Sequence, residues 1–342
     1  MTLFVELHLI QNFAPSNLNR DDTGAPKDAL FGGQRRARVS SQCFKRAVRL
    51  YSRDQQLIPA EYRALRTKKL QALLLERLAG RDQEEAAGKI EVALAAAGLK
   101  LKDDGKTEYL LFLGEREIAG FAALIEAHWD ALIIPAVGEK KGKKESKAAI
   151  PTELAKQAKA LLDGGKAVDV ALFGRMLADL PQVNQDAACQ VAHAISTHRV
   201  ERDFDYFTAV DDVGGPDETG AGMIGQVEFN SATFYRYAAL DVSKLLNNLQ
   251  EDKELTASAI EALIQAMVRA IPTGKQNSFA AHNLPEFIGV SLRKSPLNLA
   301  NAFEQAVGFG IDQGLGQVKV DRLQHGFHGG SLVAGSDAEL HF

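Results

Sequence analysis

Thiols are scarce in this chain: only Cys43 and Cys189 occur in 342 residues, far apart and with no His or Cys at metal-ligand spacing beside either. That excludes a disulfide framework and a zinc module, and it is the pattern of reduced thiols in a cytoplasmic protein. Long apolar runs are missing as well. FAALIEAHWDALII is broken by Glu126 and Asp130, and the opening MTLFVELHLI has no basic leader region, so a soluble, intracellular protein is expected. No G-x-x-x-x-G-K-[ST] phosphate loop is present, nor the K/R-G-F/Y-G/A-F-V-x-F/Y signature by which ordinary RRM modules stack bases on their sheet. The apolar fraction of 46% supports a packed core, in one large domain or two smaller ones.

Positive charge is present but unevenly placed. The stretch from Asn19 to Arg49 holds Arg20, Lys27, Arg35, Arg36, Arg38, Lys45, Arg46 and Arg49 against Asp21, Asp22 and Asp28, a local excess of five in a chain whose net charge is -4. A cationic segment among glycines and serines in an otherwise acidic protein points to a phosphate site, on a nucleotide or on a strand. The residues Gln42 to Tyr51 have helical periodicity, with Ser40 or Ser41 as N-cap and no capping box. Phe44, Ala47, Val48 and Tyr51 form the apolar stripe, and Gln42, Lys45, Arg46 and Arg49 fall opposite it within roughly 100°. Solvated helix faces ordinarily mix Lys with Glu, and this one contains no Glu, which favours phosphate binding.

Around this stretch the pattern predicts a strand over Thr2–Ile10 with one covered face, then a long loop from Gln11 to Arg38. From Arg53 to Gly164 the texture is that of an inserted helical subdomain, which contains the lysine-rich loop GEKKGKKESK. Val168–Gly174 (VDVALFG) reads as a strand. HRVERDFDYFTAVDD and MIGQVEFNSATFYRYAAL read as a long projecting hairpin with Phe207, Met223 and Ile224 near its tip. A helix is expected over Thr256–Ile271, a turn holding Lys275, a strand over Phe287–Leu292, and a short helix from Ser295-Pro296 through Phe303. His325 and His328 lack a third ligand, and no metal site, cofactor or catalytic residue is expected. Without the insertion and the hairpin, the order strand, helix, strand, strand, helix, strand is that of a ferredoxin-like, α+β fold.

LNRDDTGAPKDALFGGQRRARVSSQCFKRAVR, HAISTHRVERDFDYFTAVDD, EFNSATFYRY, GKQNSFAAHN and PLNLANAFEQAV together resemble the CasC (Cas-seven) family, the repeated backbone subunit of the type I-E CRISPR surveillance complex Cascade. The resemblance implies a hand-shaped subunit. Its RRM-like palm would comprise residues 1–52, 165–199 and 230–342 with the C-terminal tail, its helical fingers 53–164 and its hairpin thumb 200–229. It implies several copies stacked along a CRISPR RNA that each thumb kinks, with target DNA and the other Cascade subunits as partners: the large and small subunits, the cap of the guide 5' end and the guide-processing endoribonuclease. It further implies that Asn19, Arg20, Lys27, Ser40, Gln42, Lys45, Arg49 and Lys275 grip the guide backbone, joined by Arg46 on the charged helix face. Met176, Phe207, Thr208 and Ile224 would pack around a displaced nucleotide, and Lys140, Lys141, Lys143 and Lys144 would attract target DNA. Two other readings compete. One is an RNA-cleaving backbone subunit of type III kind, using Asp21, Asp22 or Asp28. The other is a nucleotide-binding enzyme using Gly32 to Arg36 as a phosphate loop, against which the spacing stands.

Overall fold

A computed structural model describes residues 2–134, 151–177, 179–209 and 224–308. Lys140, Lys141, Lys143 and Lys144, the hairpin loop 214–222, Met223, His325 and His328 lie outside the described residues. The chain forms two compact units. One draws its described residues from Met1–Asp54, Cys189–Val242 and Glu261–Phe342, the other from Gln55–Ala188 and Ser243–Ile260.

The first unit is built on an antiparallel sheet in the order β10-β1-β9-β7-β3-β2. Its strands are β1 (Phe4–Ser16), β2 (Asp28–Phe31), β3 (Gln34–Val39), β6 (Cys189–Val191), β7 (Ala194–Ser196), β8 (Asp203–Thr208), β9 (Ile224–Asp241) and β10 (Phe287–Arg293), with β6 and β8 both paired to β9. Helix α1 (Ser41–Asp54) follows β3, and across the sheet β10, β1, β9 and β6/β7 stand as the fourth, first, third and second of these four strands in chain order. That is the ferredoxin-like arrangement expected from the sequence, with one substitution of parts. The second strand is β6/β7, and Val168–Phe173 is a buried helix. Val168, Val170, Ala171, Leu172 and Phe173 are all inside, and a short run buried on every side has no periodicity to separate helix from strand. Gly174 at φ 78° ends it.

Strand β1 is longer than expected and lies between β9 and β10, buried on both faces. The expected loop 11–38 contains the end of β1 and the hairpin β2–β3. Its polar residues carry a loop pattern but are buried against partners distant in sequence: Gln11 donates to the Asn283 carbonyl (2.7 Å) and Asn17 to the Glu228 carbonyl (2.9 Å). On one face of the sheet, Phe13 and Phe234 pack with Phe44 of α1. On the other, Ile10, Tyr235 and Tyr237 meet Phe303 of a 3-10 turn, Leu299–Phe303, in place of the expected helix from Ser295. Each such apolar side chain contributes about 1.5–3 kcal/mol by leaving water.

The second face also buries a polar network. Glu6, fully inside, accepts from Tyr237 Oη (2.5 Å), the Leu297 amide (2.6 Å) and Ser291 Oγ (3.3 Å), with His8 Nε2 at 3.6 Å. Burial opposes its charge, but the hydrogen bonds from His8, Tyr237 and Leu297 outweigh it and hold the carboxyl below its usual 4.5.

The second unit packs α2 (Leu70–Arg77), α3 (Gln83–Ala97), α4 (Glu115–Ala127) and α5 (Thr152–Ala160) around Leu74, Ile90, Leu94 and Phe121, beside the two-stranded sheet of β4 (Ala64–Thr67) and β5 (Leu111–Gly114). Helix α6 (Val168–Phe173) and α7 (Val242–Asn248) complete it. Asp82 caps α3 by accepting from the Glu85 amide (2.9 Å), and Gly98 at φ 90° closes it. The helix expected at Thr256 runs as α8 (Lys253–Arg269), and a short α9 (Gln276–Phe279) follows Lys275.

Glu6→Gln removes an acceptor charge from a buried network, so at neutral pH it should lower stability by about 2–3 kcal/mol. A carboxyl depressed in the folded state stabilises above its unfolded value and loses that contribution as pH falls through the folded one. The gap between urea melts of parent and variant should therefore narrow as pH falls below the usual 4.5; a gap that does not narrow on acidification contradicts this account.

Candidate nucleic-acid interface

In the first unit, a cleft of about 620 Å³ is bordered by 18–24, by Cys43, Arg46 and Ala47 of α1, and by 272–274. Its near wall is a loop folded on itself. Arg20 bridges Pro26, and the Asp21 carboxylate accepts from the Thr23 hydroxyl (2.7 Å) and from the Thr23 and Ala25 amides (2.9 and 3.0 Å). The Thr23 hydroxyl first, and these amides with it, hold the Asp21 carboxyl below its usual value. Asn19 Oδ1 accepts from the Ser40 amide (2.8 Å), which ties this loop to the start of α1. Ser40 is buried, and its Oγ accepts from the Cys43 amide (3.3 Å) as the N-cap of α1. The far wall is the turn before α9. Gly274 lies so close to Leu18 that a Cβ there would come within 2.3 Å of the Leu18 carbonyl oxygen, and Lys275 adopts φ 51°.

Helix α1 buries Phe44, Ala47 and Val48, while Tyr51 is half-buried. Gln42 and Arg46 are exposed, and Lys45, Arg49, Lys27 and Lys275 are half-buried. Arg46 and Lys27 both favour the thiolate of half-buried Cys43, but burial dominates and pushes its thiol up. Burial, against the opposing charge of Lys45, carries Cys189, which is fully inside, to about 12.

The remaining cations of the stretch have other duties. Arg36 is wholly buried and donates to the carbonyls of Ser196 (3.0 Å), Phe303 (3.1 Å) and Glu304 (2.9 Å), so it is a strut of the fold and not part of a phosphate surface. Arg35 pairs with Asp28 (2.6 Å), and Arg202 joins the same carboxylate (2.6 Å) while also reaching Glu228 (3.0 Å). Partial burial opposes the Asp28 charge, yet these two guanidinium groups hold its carboxyl below the usual range. Arg202 was not singled out from the sequence; it ties the base of the β8–β9 hairpin to β2. Gly32 and Gly33 form the β2–β3 turn, and a Cβ at Gly32 would lie 1.8 Å from the Glu304 carbonyl oxygen. That space is filled by protein, which removes the phosphate-loop reading.

Every residue of β8 is exposed. Phe207, 47% exposed, lies over Gly225, where a Cβ would come within 2.1 Å of its ring. Exposed Thr208 pairs with Ile224 at the end of the described ladder. In the second unit, Met176 is 81% exposed at the rim of a cleft of about 520 Å³ that also contains Arg66, Leu110 and Phe112. Its exposure follows from its neighbour. Arg175 is buried on Glu117 (2.7 Å) and the carbonyls of Leu162 and Val183, and the next side chain is turned outward. Leu110 (53% exposed) and Arg66, whose guanidinium stacks over Phe112 at 4.6 Å, carried no signal in the sequence. Among the described residues there is no group of His, Cys, Asp or Glu able to hold a metal ion, and no helix long and apolar enough to cross a membrane.

The sequence model of the CT1975-like protein family matches residues 5–330. The chain belongs to that family. Its CT1975-like fold is similar to a chain of a solved "CRISPR RNA-guided surveillance complex, pre-nicking", with a TM-score of 0.81 and 33% identity over 94% of this chain and 87% of that one. A chain of a "CRISPR RNA-guided surveillance complex" is also similar, with a TM-score of 0.56 and 27% identity over 94% of this chain and 82% of that one. No curated protein matches. The CT1975-like fold is thus that of a Cas-seven-type subunit.

Two arginines of one stretch should behave oppositely. Arg36→Met removes the donors to three carbonyls, two of them buried, and should cost at least about 3 kcal/mol in urea unfolding, whereas Arg46→Met should stay within about 0.5 kcal/mol. Equal losses would refute this division.

Proposed function

We propose that this chain is the backbone subunit of a type I-E Cascade complex, binding CRISPR RNA through sugar and phosphate contacts and lining up with further copies of itself along the guide. The observation that carries this is the polar face of α1. Gln42, Lys45, Arg46 and Arg49 share one face of the helix, to which α1 itself contributes no acidic residue, Arg46 opens on the cleft, and Lys275 follows the opposite wall. A subunit that must accept any guide sequence needs phosphate contacts, which position without specifying, and no reading of base edges. Arg20 and Lys27 add charge at the near wall. Asn19 and Ser40 support that wall through the helix cap, and the amides at the start of α1 suit an anionic strand.

In this reading the ferredoxin-like sheet is an RRM-like palm, the helical unit the fingers and the β8–β9 hairpin the thumb. Phe207, Thr208 and Ile224 on the hairpin, and Met176 in the helical unit, each meet displaced nucleotides, because apolar side chains tolerate any base. The similar chains come from solved CRISPR RNA-guided surveillance complexes, which supports a CRISPR guide RNA and other subunits of such a complex as partners; target DNA and the large, small, guide-cap and endoribonuclease subunits complete the proposal. The protein acts in the cytoplasm and turns over no substrate. Asp28 is committed to Arg35 and Arg202, and Asp21 to its own turn, which weighs against a type III cleavage site in this loop. Filaments given complementary RNA and magnesium should leave it uncut, and regular cuts would restore that alternative.

Neutralising Lys45 and Arg49 together should weaken guide binding and reduce the log-log salt slope by about 1.4, roughly 0.7 for each phosphate contact on a single strand. Filter binding across a salt series measures this, and an unchanged slope would sink the assignment.

A further inference from the structure

The spacing of the proposed clamp depends on a residue that a strand in the cleft would not touch. Arg236 lies within β9 and is 2% exposed. Its Nη2 donates to the Met267 carbonyl (2.7 Å) in the last turn of α8, its Nη1 donates to Gln11 Oε1, and its guanidinium carbon stands 4.0 Å from the Phe44 ring centroid in α1. Gln11 carries the connection onward by donating to the Asn283 carbonyl (2.7 Å), and Asn283 Oδ1 accepts from the Ala14 amide (3.2 Å). Phe44 immediately precedes Lys45. Met267 and Asn283 lie on either side of the turn that holds Gly274 and Lys275. One buried guanidinium therefore stacks on α1, which carries Lys45 and Arg49, and hydrogen-bonds the end of α8, which leads into the turn holding Lys275.

This arrangement is costly. Arg236 Nε has no hydrogen-bond partner in the described residues, and burial lowers the guanidinium from its ordinary value to about 9. An apolar side chain of similar volume would fill the space without that penalty, so a buried cation kept here points to a geometric task. The carbonyl at the end of a helix and the face of an aromatic ring both attract a cation, and a planar fork satisfies them in a fixed relation.

We infer that Arg236 is a positioning residue for the guide clamp, fixing the separation between α1 and the turn 273–276. The inference rests on the guide-binding reading for its purpose but not for its geometry. To test it, the full chain with Cys43→Ser carries spin labels at Arg53→Cys and Asn277→Cys, both exposed positions, and the distance between them is measured without RNA. Arg236→Met should shift or broaden that distance. Arg236→Lys, a cation without the fork, should shift it less.

In RNA titrations of the unlabelled chain, Arg236→Met should reduce the salt slope by about 0.7, the loss of one phosphate contact. Phe303→Leu, a buried change on the opposite sheet face, should lower stability and leave the slope unchanged. An unchanged distance in both Arg236 variants overturns the inference, as does an unchanged slope. If Arg236→Met does not fold, Arg236→Lys is held to the same two criteria. A parent protein whose RNA binding ignores salt would refute the guide-binding reading alone, and the distance would still decide the positioning role.

Discussion

The first unit depends on the hydrogen-bond ladder of β9. This strand runs for eighteen residues without a break, and it pairs in turn with β8, with β7 and β6, and with β1 along its other edge. Side chains alternate across a strand, so one run of sequence supplies Phe234 and Arg236 to the α1 side and Tyr235 and Tyr237 to the side of the Leu299–Phe303 turn. The exposed hairpin is thus the continuation of a strand that is buried from Ala232 to Leu240. Its residues have little core of their own to hold them, and the ladder holds them in place of packing.

Charge in this chain is sorted by depth. Arg36 spends its donors on three carbonyls, Arg236 on α8 and Gln11, and Arg175 on Glu117. Desolvating a guanidinium costs several kcal/mol, which only such dense hydrogen bonding offsets. Closer to the surface, Arg35 and Arg202 share Asp28. On α1, Gln42 and Arg46 are exposed and Lys45 and Arg49 half-buried. Counting the charges of residues 20–49 therefore overstates the strength of the surface and understates how much of the fold arginine supports.

Local pattern made several parts of this legible in the sequence: the alternation of β1, the apolar stripe of α1, the two runs that pair as β8 and β9, and β10. What was not legible is what only long-range partners decide. Val168–Phe173 is helical because it is enclosed on all sides. Gln11 and Asn17 belong in a buried strand and its exit because the Asn283 and Glu228 carbonyls, far along the chain, accept from their side chains, and Ser16 because it pairs with Asn230. Of the candidate site, the α1 cations could be read from helical spacing. The roles of Arg36, Arg202 and Arg236 could not, since nothing in their local sequence distinguishes a buried arginine from an exposed one. Met176 came from family likeness, and the physical cause of its exposure is the anchoring of Arg175.

The two thiols now differ in a useful way. Cys189 is fully enclosed, whereas half-buried Cys43 lines the cleft beside Arg46. Thiol alkylation proceeds through the thiolate and requires access, so Cys43, although burial raises its thiol, is the more reachable of the two and a footprinting probe beside the cleft. The rate at which Cys43 takes up a maleimide reports occupancy of the cleft, with Cys189 silent, and needs no engineered label.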